Sequence, residues 1–164
     1  MRKKRNTILA LDPGLRELGY AVLTGRRLVD AGVLPLRYLP AKERVGEARR
    51  QVRGWLKVHH PQVLVVERTY HHPVPWLDRV HRLALSAEQL AKRRHMKVAT
   101  YSPQRVRQTV VGNGKATKAE VATVVANRYA PLRLYLTQDR RWKERYWQNM
   151  FDAIALALHH RSVT

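Results

Sequence analysis

The chain contains no cysteine. Disulfide staples, thiolate zinc sites and cysteine nucleophiles are therefore excluded. A reducing compartment such as the cytoplasm is the expected setting. Long hydrophobic runs are missing too. The stretch Ala153 to Leu158 is far short of a membrane span. Ile8 to Leu11 is cut off by Asp12 and Pro13, too early for a signal peptide. No membrane partner is expected. Acidic residues are scarce: 12 Asp and Glu stand against 32 Lys and Arg, a formal net charge of +20 over 164 residues. That excess exceeds what solubility needs and points to a polyanion, most simply nucleic acid. Hydrophobic residues make up 45% of the chain, so it is not a disordered basic tail. No repeat or low-complexity linker divides it. A single domain over residues 1–164 is expected.

The first half reads as strands. Ile8 to Leu11 is a short buried run. Gly19 to Leu23 and Leu28 to Leu34 follow, joined by a turn at Thr24 to Arg27, and suggest an antiparallel meander. Lys42 to His59 carries Val45, Ala48, Val52, Trp55 and Leu56 at helical spacing. Val63 to Val66 is continuously apolar after that helix, which suits a buried strand parallel to the first. Trp76 to Arg94 places Trp76, Val80, Leu83, Ala84, Ala87 and Leu90 along one stripe, and Lys97 to Tyr101 is a further strand. Ser102-Pro103 opens a helix, Thr117 to Glu120 is a capping box, and Trp147 to His160 is the last helix. Three strands followed by alternating helix and strand mean an α/β fold with a mixed sheet flanked by helices.

With so few acids, their positions carry information. Asp12 ends the first buried strand, Glu67 ends the Val63 to Val66 strand, and Asp152 sits in the most apolar part of the last helix. If the two strands are parallel neighbours, their carboxyl ends lie side by side, where open α/β sheets place their sites. A helix across those ends would bring Asp152 to the same spot. Converging carboxylates repel one another, and a bound Mg²⁺ or Mn²⁺ is the natural way to neutralise them. The alternative is that each acid pairs with a nearby arginine.

Four blocks then match a family in order along the chain. They are Ile8 to Tyr20 (ILALDPGLRELGY), Val65 to Tyr70 (VVERTY), Arg105 to Lys118 (RVRQTVVGNGKATK) and Phe151 to His159 (FDAIALALH). Together they resemble the RuvC-type Holliday-junction resolvases. The resemblance implies a ribonuclease H-like fold and a homodimer. It implies paired symmetrical nicks in a four-way DNA junction, leaving 5′-phosphate and 3′-hydroxyl ends, and an association with a branch-migration helicase. Asp12, Glu67 and Asp152 map onto family metal ligands for two Mg²⁺ or Mn²⁺ ions per site. The remaining ligand position falls on Asn149, a candidate catalytic and metal residue whose amide oxygen is able to coordinate a cation but adds no negative charge and cannot act as a base. This weakens the expected second metal site. His159 and Glu144 are nearby substitutes, but neither stands at the matching position.

By the same resemblance, Lys118 steadies the scissile phosphate, and Tyr70 stacks on an unpaired base at the junction centre. Arg107 falls where the family often has lysine. Arg68, Arg105, Lys115 and Lys118 are phosphate contacts. Gly112-Asn113-Gly114 lets the backbone approach a phosphate closely. For Tyr70 the alternative is a tyrosine capping the sheet edge, and for the basic residues a solvated surface charge.

The histidine pairs 59–60, 71–72 and 159–160 have no i, i+4 histidine partner, so solvated histidines are expected rather than a zinc site. Trp142, Tyr146 and Trp147 are expected just ahead of the last helix, as a lid packing it on the core or as a DNA-stacking group. The helix at Trp76 to Arg94 is the expected dimer interface. The expected function is a metal-dependent endonuclease selective for four-way junctions. The rivals are a non-catalytic junction-binding protein and a nuclease of the same fold acting on other branched nucleic acid.

Overall fold

The structure, a computed structural model, describes residues 6–136 and 141–164, without the side chains of 141–145. Five strands form one sheet: β1 (Thr7–Pro13), β2 (Glu17–Thr24), β3 (Arg27–Pro35), β4 (Val63–Glu67) and β5 (Lys97–Tyr101). Their spatial order is β3-β2-β1-β4-β5. The first three run antiparallel, and β4 and β5 join β1 in parallel. Five helices cover the sheet: α1 (Arg44–His59), α2 (Pro75–Arg93), α3 (Pro103–Val111), α4 (Lys118–Arg128) and α5 (Arg141–Val163). Among the described residues, no helix is long and apolar enough to cross a membrane.

Alternation along the strands divides the core into two layers. Leu9, Leu11, Leu64 and Val66 point to the side of α1 and α2. Ile8, Ala10, Val63 and Val65 point to the side of α3, α4 and α5. A residue one step beyond Leu11 or Val66 therefore faces the α5 layer. Those residues are Asp12 and Glu67.

The last helix begins earlier than its apolar pattern suggests, at Arg141 rather than Trp147. Residues 141–147 contain no glycine or proline, and their Lys, Glu and Arg are good helix formers, so nothing stops the helix from extending back. Tyr146 and Trp147 accordingly lie within α5. The ring of Trp147 packs 4.4 Å from that of Tyr135 and against the core, as the lid reading expects. The side chains of Trp142 and Glu144 lie outside the described residues.

Trp76 also departs from expectation. It is 54% exposed, while Leu83, Ala84, Ala87, Leu90 and Ala91 form the buried face of α2. At the first turn of the helix, position 76 projects past the end of the core. The histidines differ as well. His159 and His160 are buried rather than solvated. His159 Nδ1 meets Thr109 Oγ1 at 2.8 Å, and His160 Nδ1 meets Tyr101 Oη at 2.8 Å. Burial pushes both imidazoles down, so they pack as neutral core side chains.

Helix α5 lies directly on the sheet. A Cβ built on Gly19 would come within 2.0 Å of the Asn149 carbonyl oxygen. Gly19 is the cross-strand partner of Asp12, so the crossing point sits beside that carboxylate. By contrast, a Cβ on Gly46, in α1, meets nothing within 4 Å. Gly19→Ala is expected to destabilise the fold by at least about 2 kcal/mol through overpacking. Gly46→Ala is expected to stabilise it by about 0.5–1 kcal/mol through helix propensity. Urea melts of the two variants beside wild type check both signs.

Candidate active site

The register of β1 on β4 pairs Leu11 with Val66. The next step along both strands sets Asp12 beside Glu67, and their carboxyl groups share a hydrogen bond. Helix α5 delivers Asp152 to the same cleft, and α4 and α3 deliver Lys118 and Arg107. Lys118 is the first residue of α4. The turn before it is fixed by a capping box: Glu120 N–H donates to Thr117 Oγ1 at 3.2 Å, and Thr117 N–H donates to Glu120 Oε2 at 2.6 Å. Its Nζ then stands 3.7 Å from Asp152 Oδ2. Val106, Val121, Ala155 and Leu156 form the apolar floor. The cleft encloses about 50 Å³, space for water or an ion but not for a nucleoside.

The electrostatics are those of crowded, desolvated carboxylates. Asp12 is held well above the usual carboxylate range, first by burial, then by the charges of Glu67 and Asp152. Glu67 is raised by burial and by Asp152, and pulled back by its hydrogen bond to Asp12 and by Lys118 and Arg107. Asp152 is raised by burial and opposed chiefly by Lys118. The nearby cations reduce the repulsion without cancelling it. An all-oxygen donor set short of positive charge fits a hard divalent cation. Among the described residues, no three acidic or imidazole side chains are already drawn into ligating geometry. Asp152 instead leans on Lys118 and on Gln148, whose Nε2 donates to Asp152 Oδ1 at 3.0 Å.

Asn149 does not line this cleft. Its amide donates to the Glu17 carbonyl at 3.4 Å, over the turn at Gly14. It borders a separate hollow of about 610 Å³ lined by Lys118, Ala122, Tyr135, Gln148 and Phe151. His159 is engaged with Thr109 and Tyr101.

Of the basic and aromatic candidates, Arg107 and Lys118 line the cleft. Tyr70 is 72% exposed in the loop that follows β4. Arg68, Arg105, Lys115 and Lys118 are exposed, and Arg107 is half-buried. The loop between α3 and α4 starts at Gly112, whose φ of 87° is left-handed and suits glycine. Gln148 was not singled out in the sequence. The only signal for it is a glutamine one helical turn before an aspartate, a pairing that helices favour.

A family model for crossover junction endodeoxyribonuclease RuvC matches residues 8–160. The chain belongs to the RuvC family. A RuvC crossover junction endodeoxyribonuclease from a Nocardioides species is 32% identical over 160 residues, covering 93% of this chain and 85% of the relative. One from Azorhizobium caulinodans is 36% identical over 163 residues, covering 94% and 90%. The structure of Thermus thermophilus RuvC in complex with Holliday junction substrate superposes with a TM-score of 0.71 at 26% identity, covering 94% of this chain and 92% of that one. The mixed sheet flanked by helices is thus the ribonuclease H-like architecture of RuvC structures.

The raised carboxylates make a statement about stability. A group whose folded pKa lies above its unfolded value contributes stability in acid and loses it as pH rises. Without divalent metal, the cluster should therefore cost stability as pH climbs above the ordinary carboxylate value of 3.8. In EDTA at pH 7, Asp12→Asn should melt several degrees above wild type, and the gap should close toward pH 4. Calorimetry across that range checks the sign.

Proposed function

We propose that this RuvC-family endonuclease resolves four-way DNA junctions by paired symmetrical nicks, acting as a homodimer of single-domain subunits in the cytoplasm. The observation that carries the reading is the convergence of Asp12, Glu67 and Asp152, two from strand ends and one from a helix, in a strongly basic chain. Asp12, Glu67 and Asp152 would hold the divalent cations, Mg²⁺ or Mn²⁺, two per site. A cation bound there would lower the pKa of its water and stabilise charge on the phosphate and on the leaving 3′-oxygen.

The chain's own groups do the remaining work. Lys118 and Arg107 set positive charge beside the scissile phosphate as negative charge develops on it. Arg68, Arg105 and Lys115 hold the backbone, and Tyr70 offers an exposed ring for an unpaired base. The second subunit, docked through α2, supplies the cut on the opposite strand, and a branch-migration helicase is the natural partner. Asn149 contributes a neutral amide turned toward Glu17. That orientation favours a weaker second metal position.

A synthetic four-way junction, a fork and a linear duplex, titrated together with Mg²⁺ or Mn²⁺, test these readings. The expected result is symmetrical nicking of the junction alone. Tight binding with no cleavage would leave only the binding reading, and equal cutting of the fork would point to other branched substrates. Asp12→Asn should abolish nicking and keep or strengthen binding, because it removes a repelling charge. Asn149→Asp should raise the nicking rate or relax a preference for Mn²⁺. An unchanged rate would mean that position 149 is no ligand.

A further inference from the structure

Asp152 is gripped at both oxygens. Lys118 Nζ approaches Oδ2 at 3.7 Å, and Gln148 Nε2 donates to Oδ1 at 3.0 Å. The same Nε2 stands 3.3 Å from the Lys118 carbonyl oxygen. An amide nitrogen carries two hydrogens, so one side chain serves both acceptors together. Gln148 lies one helical turn before Asp152, the spacing at which helical side chains meet. It thus ties α5 to the first residue of α4, the residue that supplies the cleft's ammonium group.

The chemistry of this contact differs from that of Lys118. A neutral donor fixes the direction of a carboxylate without neutralising its charge. A cation in the same place would compete with a metal for that charge. Asp152 has two side-chain partners in a small cleft, and a carboxylate that rotates freely spreads its charge over several directions. Holding Oδ1 with a neutral donor keeps Oδ2 on the side of Lys118, which also lines the cleft.

We infer that Gln148 is a positioning residue for the reaction: its amide holds Asp152 Oδ1 and the start of α4 together, fixing Asp152 and Lys118 in register across the cleft. This rests on the reading of Asp152 as a metal ligand. A donor holding a ligand in this way is typically worth about 10- to 100-fold in metal affinity or activity.

The test uses the full chain carrying Gln148→Leu or Gln148→Met. The methionine keeps the length of the side chain and serves if the leucine variant melts early. Mn²⁺ binding is read from the free-ion electron paramagnetic resonance signal. Nicking of a four-way junction is followed against Mn²⁺ concentration, and junction affinity is measured in EDTA. The expected result is Mn²⁺ affinity lowered about 10- to 100-fold, nicking lost at low Mn²⁺ and regained at high Mn²⁺, and junction affinity unchanged. A merely structural glutamine would shift melting without moving the Mn²⁺ half-saturation point. Asp152→Asn is measured alongside. If it loses Mn²⁺ binding while both Gln148 variants bind Mn²⁺ as wild type does, the role of Gln148 is overturned and that of Asp152 stands. If Asp152→Asn binds Mn²⁺ and nicks normally, the reading of Asp152 fails and takes this inference with it.

Discussion

Helix α5 crosses β2 so closely that the backbone of Asn149 fills the space a side chain at position 19 would need. Everything in the cleft depends on that approach. Gly19 pairs across the strands with Asp12, so the crossing point is fixed beside the first carboxylate. One helical turn later α5 presents Asp152, and its buried apolar residues, Phe151, Ile154 and Leu158 among them, seal one layer of the core. The burial of those apolar groups holds in place a helix that carries an unfavourable charge.

That charge is unfavourable by construction. A chain with a net charge of +20 could surround every acid with arginine. Here the three acids face each other in a pocket with an apolar floor, and Lys118 and Arg107 offset only part of their repulsion. Surface acids elsewhere are treated differently. Glu47, for example, is pulled down to about 2 by hydrogen bonds from Arg50 and Gln51. The contrast separates an acid satisfied by its hydrogen bonds from a cluster whose repulsion is only partly offset. It also bears on the positive field around it. Basic residues raise the local concentration of DNA and make binding steeply salt-dependent, while in the proposed function the minority charge acts on the bound phosphate.

Much of this was legible in the sequence. The five strands and the helices between them follow from apolar runs, helical spacing and capping signals, and reading the first and fourth strands as parallel neighbours puts Asp12 and Glu67 side by side at their ends. The less legible parts share a physical cause. The first turns of α5 are rich in charge, so apolar periodicity says nothing about them, and the helix starts at Arg141 instead of Trp147. The burial of His159 and His160 depends on Thr109 and Tyr101, which come from distant elements. The orientation of Asn149 is set by a main-chain carbonyl across the β1–β2 turn, a contact that no residue type announces. Gln148 was missed because its role lies in two acceptors, one of which is a backbone oxygen of another helix.

The central claim is that Asp12, Glu67 and Asp152 form one cation site. The most direct measurement is anomalous scattering from crystals of the chain soaked in Mn²⁺. A peak between the three carboxylates, lost in crystals of Asp12→Asn, is the predicted result. A fully soaked crystal with no Mn²⁺ among those residues, or with the metal bound only elsewhere, would contradict it.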